Sequence, residues 1–390
     1  MLDNQNELLR KQSEYYGHIS NNSNNGESKG LHYVIGDLHG KLGTYLDAVS
    51  ILNDEDILYV LGDVIDRGNR GILILQDMMS RANVKLILGN HEWQFIECYK
   101  IMKKYDLSAT EVMAYARINN FIKSYNDGKG GSISESTYLN GIQSVKDQLE
   151  AIGYEPKDLP KEDLSFLGLW MSNSGQKTLQ SFCELSEEEQ ENMMNYLMDS
   201  PVIMYKQIPD KKLCLVHAAP FEIEWITKFI PSNREEEVIT YTNLMDLKPK
   251  GRECFISMCT ERRQEAFKKG VPSPFDIMKD LGYETIFGHT SQHIKATRCK
   301  KDGSLCLDIS SCDGAAIYCA EAGLVQYLDR SFEKPTGNIS KPEEPLLLEN
   351  RSIDLLDTLE GLHIAKDLIE AQFGPEKNEQ SSQSSGPEDR

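Results

Sequence analysis

Three short phrases within the first ninety-two residues restrict the folds open to this chain: Gly36-Asp37-Leu38-His39-Gly40, Gly62-Asp63-Val64-Ile65-Asp66-Arg67-Gly68 and Gly89-Asn90-His91-Glu92. Each opens with glycine and follows a run of β-branched or aliphatic residues (His32 to Ile35, Ile57 to Leu61, Val84 to Leu88) that reads as a buried strand. Asp37 and Asp63 are 26 residues apart, Asp63 and Asn90 27. Each interval has room for one helix and one strand. Leu46, Val49, Ile51 and Leu52 suggest a crossover helix in the first, and Ile72, Ile74, Leu75, Met78 and Met79 in the second. Right-handed βαβ units follow, and they place all three phrases at the carboxyl ends of strands, where open α/β sheets bind ligands. Carboxylate, imidazole and amide side chains gathered there make a metal site with phosphate chemistry beside it.

Charge narrows the partners. With 42 basic and 61 acidic residues the formal charge is −19, which repels polyphosphate backbones and anionic membranes. Neither nucleic acid nor a membrane is expected as a bulk partner. A local cationic or metal-filled pocket can still take a small phosphate. No apolar run approaches the ~18 residues of a bilayer span, and the polar N-terminus has no secretory pattern, so a cytoplasmic location is expected. The nine cysteines form no CxxC pair. Those in apolar settings, such as Cys214 and Cys306, read as buried reduced thiols rather than as a thiolate zinc site.

Residues 1–30 read as a flexible polar leader, 31–330 as one catalytic domain, and 331–390 as a C-terminal extension with an amphipathic helix over 352–373 and a polar tail. Within the domain, 105–200 reads as a helical insertion over the site. Its best-marked helix starts at the capping box Ser186/Glu189 and stops at Pro201. Asn126 to Ser136, with Gly128, Gly130 and Gly131, reads as a loop. Strand character returns at Val202–Ile208, Leu213–His217, Thr285–Gly288, Ser304–Ile309, Ala315–Cys319 and Leu324–Leu328.

Two of those runs end in histidine, at His217 (Leu215-Val216-His217-Ala218) and His289 (Phe287-Gly288-His289-Thr290). Either alone is as readily a satisfied core residue as a ligand. His18, His32, His293 and His363 have no such context, although His293 lies close enough in sequence to line the pocket.

The five phrases, in this order, resemble the calcineurin-like metallophosphoesterase superfamily, and within it the bacterial PPP-type serine/threonine protein phosphatases. The likeness spans Leu31 to about Val325. The phrase ending Asp66-Arg67-Gly68 is its most specific part, and Trp170-Met171-Ser172-Asn173-Ser174-Gly175 with Thr178-Leu179 is similar to a phrase of the bacterial members. The resemblance implies an α/β (α+β) four-layer sandwich of two mixed β-sheets flanked by helices. It implies two divalent metal ions, one held by Asp37, His39 and Asp63, the other by Asp63, Asn90, His217 and His289, with Asp63 bridging. Nitrogen and oxygen donors without thiolate suit manganese, iron or zinc.

By the same resemblance a metal-bridging hydroxide attacks the phosphoryl group in line, and His91 protonates the leaving oxygen. Asp66 would orient His91 and raise its pKa, and the planar fork of Arg67 would take two phosphate oxygens. A second phosphate-binding arginine is expected between His217 and His289. Arg262 is preferred over Arg252 and Arg263, although the tryptophan expected upstream is absent and Met258 stands in its place. Asn173 is a further candidate at the phosphate. Ala219 stands where the family often has glycine, and no arginine precedes Gly89.

The substrate implied is phosphoserine or phosphothreonine in a protein. The rival is a symmetrical dinucleoside tetraphosphate, whose bases would need a wall such as Tyr115, Phe121, Tyr125, Tyr138 or Trp170 could build. A docking protein that had lost the reaction should have lost ligands, yet Asp37, His39, Asp63, Asn90, His91, His217 and His289 are all present.

Overall fold

The computed structural model describes residues 30–126, 135–220, 236–246, 258–260, 272–290, 295–309 and 314–328. The leader, the C-terminal extension, most of the 126–136 loop and the arginines 252, 262 and 263 lie outside these.

The first three strands form where the apolar runs are: β1 (His32–Ile35), β2 (Ile57–Val60) and β3 (Val84–Leu86). They pair in parallel, and the crossovers are α1 (Leu42–Ser50) and α2 (Gly71–Met79). α2 buries Ile72, Ile74, Leu75 and Met78, as their spacing predicts. α1 differs: it buries Thr44, Tyr45 and Ala48, while Leu46 faces solvent. The aromatic ring of Tyr45 takes the buried face, and its hydroxyl donates to Asp77 on α2 at 2.7 Å.

Six helices follow: α3 (Asn90–Tyr105), α4 (Ala109–Asn126), α5 (Glu135–Ala151), α6 (Lys161–Ser172), α7 (Gln176–Cys183) and α8 (Glu187–Asp199). Aromatic rings knit them together. Phe95 on α3 stacks on Trp170 at 5.2 Å and meets Phe182 edge-on at 4.9 Å, while Trp93 meets Phe166 at 5.6 Å. Such pairs each add ~0.5–1.5 kcal/mol to the burial of their area. Ser186 caps α8 with Glu189 as its sequence predicts.

The chain then enters a second sheet through β4 (Pro201–Ile208), β5 (Lys211–Val216) and β6 (Glu236–Thr240). After α9 (Tyr241–Asp246) and α10 (Pro274–Asp280) come β7 (Tyr283–Phe287), β8 (Thr297–Arg298), β9 (Leu305–Cys306), β10 (Ala315–Cys319) and β11 (Leu324–Leu328). Strand order is β11-β10-β1-β2-β3 in one sheet and β6-β4-β5-β7-β9-β8 in the other. Both sheets mix parallel and antiparallel pairs.

Val34, Tyr59, Leu61 and Ile87 from the first sheet meet Met204, Leu213, Leu215, Ile286 and Leu305 from the second in one buried cluster. Each fully buried aliphatic side chain contributes ~1.5–3 kcal/mol there. This face-to-face pairing, with helices outside, is the expected sandwich. It brings the ends of β1, β2 and β3 opposite those of β5 and β7. Among the described residues no helix is long and apolar enough to cross a membrane.

Candidate functional site

The five phrases converge where the strands of the two sheets end. His217 leaves β5 fully buried, and its Nδ1 meets the Leu61 carbonyl at 2.5 Å. A carbonyl only accepts, so the ring's proton is on Nδ1 and the Nε2 lone pair faces inward. His289 is oriented the same way from its other nitrogen: Nε2 donates to the Thr260 carbonyl at 3.0 Å and Nδ1 faces inward. His39 Nδ1 donates to the Ile65 carbonyl at 3.1 Å, which directs its Nε2 toward Asp63.

These inward atoms crowd one another. His217 Nε2 is 3.2 Å from His289 Nδ1, 3.1 Å from Asn90 Oδ1 and 3.3 Å from Asp63 Oδ1, and His289 Nδ1 is 2.9 Å from Asn90 Oδ1. Lone pairs face lone pairs, an arrangement that a cation at their centre would relieve. Ligand atoms of Asp63, His217 and His289 lie within 4.8 Å of one another, and so do those of His39, Asp63 and His91. Asp63 is common to both groups. The donor set is imidazole and carboxylate without thiolate, which fits divalent manganese, iron or zinc.

Electrostatics agree. Burial pushes Asp37 and Asp63 well above the ordinary carboxyl range, reinforced for Asp37 by Asp308 and Asp63 and for Asp63 by Glu92. Burial also raises Glu92 and Asp308, and it lowers His39 and His217. Carboxyls packed this closely resist ionisation unless positive charge joins them.

The backbone is strained to achieve this. His39, Asp63, Asp66, Arg67 and His289 all have positive φ, from 44° to 64°, a conformation that side chains other than glycine seldom take. Gly62 (φ +82°) lies so close to the next phrase that a Cβ would sit 2.5 Å from Gly89 N. The placing of glycine beside acid in these phrases is therefore steric as well as chemical in origin: a Cβ on Gly89 would strike Asp63 Oδ1, and one on Gly288 would strike Asp37 Oδ1.

His91 stands at the first turn of α3, its Nδ1 2.7 Å from Asp66 Oδ2 and its Nε2 3.7 Å from Asp63 Oδ2. The expected upward pKa shift of His91 is not found. Burial first, then the charges of Arg67 and His217, holds the ring well below the ordinary imidazole value. Burial meanwhile pushes Asp66 up to about 7. Asp66 Oδ2 lies against the ring's Nδ1 in this buried pair.

Arg67 is exposed at the rim, in reach of an incoming anion. Asp37 Oδ1 accepts from His289 N at 3.2 Å. Asn173 ends α6 with its amide donating to Gln94 on α3 at 2.9 Å. Arg262 lies outside the described residues.

Two carboxylates at the site escaped the sequence reading. Glu92 is fully buried and accepts backbone N–H groups from Asp63, Val64, Ile65 and Gly89. Its only sequence signal was its place inside the third phrase. Asp308, after β9, is buried beside Asp37. Its signal was a lone acid in the apolar run Leu305 to Ile309.

Residues 33–192 match the family model for calcineurin-like phosphoesterases. The match covers 160 of the chain's 390 residues and includes the first three phrases. A symmetrical bis(5'-nucleosyl)-tetraphosphatase of Buchnera aphidicola subsp. Baizongia pistaciae is 35% identical to the chain over 97 residues, which is 24% of this chain and 32% of the relative. The chain thus spans under a third of that relative's length. Among solved structures, a cold-active protein-tyrosine phosphatase from a psychrophilic Shewanella aligns over 77% of this chain and 81% of its own, at 13% identity and a TM-score of 0.38. A protein serine/threonine phosphatase from Saccharomyces cerevisiae aligns over 80% and 84%, at 12% identity and a TM-score of 0.38.

Proposed function

We propose that the chain is a divalent-metal-dependent phosphomonoesterase that releases phosphate from serine or threonine side chains. Asp37, His39 and Asp63 would hold one cation, and Asp63, Asn90, His217 and His289 the other. Bound cations in such a site neutralise phosphoryl charge and make water nucleophilic at neutral pH. The chain's own groups then complete the reaction. Arg67 offers a planar guanidinium to two phosphoryl oxygens, and strained backbone at Asp66 and Arg67 holds it at the rim. His91 Nε2 gives its proton to the ester oxygen as the bond to phosphorus breaks.

The observation that carries this reading is the buried Asp66–His91 pair. An alkoxide is a poor leaving group and needs a proton donor, whereas a nucleoside diphosphate leaves as a stable anion with far less need of one.

The second reading, hydrolysis of a dinucleoside tetraphosphate, is favoured by the name of the Buchnera relative. Two of the aromatic candidates for a base-binding wall are otherwise engaged: Tyr115 is buried with its hydroxyl donating to the Lys157 carbonyl, and Trp170 is buried against Phe95.

A phosphothreonine peptide and diadenosine tetraphosphate, supplied at equal concentration with manganese, separate the two. Faster release of inorganic phosphate from the peptide supports the monoesterase. Faster formation of ADP establishes the nucleotide hydrolase and overturns the first reading.

A further inference from the structure

Asp66 receives two side chains from the helical segment. The Thr178 hydroxyl on α7 accepts from the Asp66 backbone N–H at 3.0 Å and donates to Asp66 Oδ1 at 2.6 Å. Because the backbone N–H can only donate, the hydroxyl proton is directed to the carboxylate. Trp170 on α6 donates its indole N–H to Asp66 Oδ2 at 3.2 Å, the oxygen that also faces His91 Nδ1. Asp66 and Trp170 are fully buried, and Thr178 and His91 nearly so.

We propose that Thr178 and Trp170 are positioning residues for the proton donor: from the helical segment they fix the Asp66 carboxylate, and through it hold the His91 ring with Nε2 aimed into the cluster. This rests on the reading of His91 as the acid of a phosphomonoesterase. Two donors on the carboxylate favour its ionised form, against the burial that raises its pKa. An ionised Asp66 accepts from His91 Nδ1–H, and the acid role requires a second proton on Nε2. In the reaction, water oxygen bonds to phosphorus, its protons leaving with the phosphate product, and the ester P–O bond breaks. Its electron pair goes to the departing oxygen, which takes the proton from His91 Nε2. The ring finishes neutral, with Nδ1–H still donating to Asp66.

The indole is itself wedged. Phe95 stacks on one side at 5.2 Å, and Gly175 lies so near that a Cβ there would sit 2.5 Å from the ring. The neighbouring Lys177 ammonium donates to the Arg67 carbonyl at 3.1 Å. One short segment, 170–178, therefore touches Asp66, which holds His91, and the backbone of Arg67. The helical segment is part of the reaction site and not only a cover for it.

The test compares two leaving groups. On 4-nitrophenyl phosphate the departing phenolate needs little protonation; on a phosphothreonine peptide the alkoxide needs a proton. Thr178→Val and Trp170→Phe should raise the ratio of aryl to alkyl kcat by about tenfold or more, part of the 10²–10⁴ that general acid catalysis supplies. KM should change little, and Thr178→Ser should restore the ratio.

A second readout needs no turnover. In metal-free protein with ¹⁵N-labelled histidine, the downfield Nδ1–H signal assigned through His91→Asn should shift or broaden in Thr178→Val and Trp170→Phe, and persist in Thr178→Ser. Should Thr178→Val not fold, Trp170→Phe carries both measurements. Equal losses on both substrates with an unmoved Nδ1–H signal would overturn the proposal. A wild-type enzyme inactive on both substrates would instead remove the monoesterase reading, and the Nδ1–H comparison would still decide whether Thr178 and Trp170 hold the ring.

Discussion

Glu92 Oε2 accepts a hydrogen bond from the backbone N–H of Asp63 at 2.8 Å. The same carboxylate accepts from Val64 at 2.8 Å, Ile65 at 3.3 Å and Gly89 at 3.0 Å. It thereby ties the second phrase to the third, across a residue, Asp63, whose φ of 50° costs energy to maintain. Glu92→Gln places an amide NH₂ where N–H groups already point inward. We expect a loss of about 3 kcal/mol in stability by chemical denaturation and a fall of about 10–100-fold in metal affinity by calorimetry. Unchanged values for both would mean that the clamp is not what holds Asp63.

Gly62 tests the steric side of the same join. An alanine there would have to keep φ near +82° with its Cβ 2.5 Å from Gly89 N and 2.8 Å from His217 Nδ1. Backbone cannot yield as a flexible side chain can, so Gly62→Ala should destabilise by about 2 kcal/mol or more. Gly153 also has positive φ but nothing near it, so Gly153→Ala should cost only its strain, about 1 kcal/mol. Comparing the two in urea melts isolates the contribution of the close approach.

β1 and β10 fall on the residues their apolar runs indicate, because buried strands must be continuous in apolar residues; β11 also falls on its run, although it is a partly exposed edge strand. β6 and β8 gave no such signal: Glu236–Thr240 and Thr297–Arg298 lie at sheet edges and face solvent, so polar residues suffice there. The run Ser304–Ile309 reads as a full strand, yet strand pairing is confined to Leu305 and Cys306; Leu307 still donates its N–H to the Phe287 carbonyl and packs in the core, while Asp308 lies beside Asp37.

Site residues within the phrases were legible because strand ends bring them together automatically. Thr178 and Trp170 were visible as part of a phrase, but their meeting with Asp66 depends on how α6 and α7 pack. Glu92 is a backbone ligand, and no side-chain pattern announces that role.

Metal dependence follows from the crowded acceptors. If His217, His289, Asn90 and Asp63 meet around a cation, manganese should raise the unfolding temperature of the wild type. At a hundredfold excess over Kd the gain is about 2.7 kcal/mol. Chelator should reverse it and abolish hydrolysis. Asp63→Asn removes the carboxylate common to both groups and should show no manganese-dependent shift in a thermal melt. An equal shift in Asp63→Asn would place the cation elsewhere.

Away from the site, one ion cluster joins the two sheets and gives stability a predictable pH dependence. Glu236 on β6 accepts from Lys85 on β3 at 2.8 Å and from Lys206 on β4 at 3.2 Å. Burial alone would raise its pKa, but the Lys85 hydrogen bond and the charges of both lysines outweigh burial and bring it below its ordinary 4.5. A carboxyl whose folded pKa is depressed stabilises fully above its unfolded value, and that contribution fades as pH falls through the folded pKa. The window is therefore the acid side of pH 4.5. Because the pair is partly solvated, its worth is about 0.5–1 kcal/mol. Glu236→Gln should cost that amount in urea melts at pH 7, and the difference from wild type should shrink as pH drops below 4.5. Added salt should narrow the pH 7 gap as well, since screening acts on what remains exposed. A gap that stayed constant from pH 7 to pH 3 would assign the effect to packing of the side chain and not to its charge.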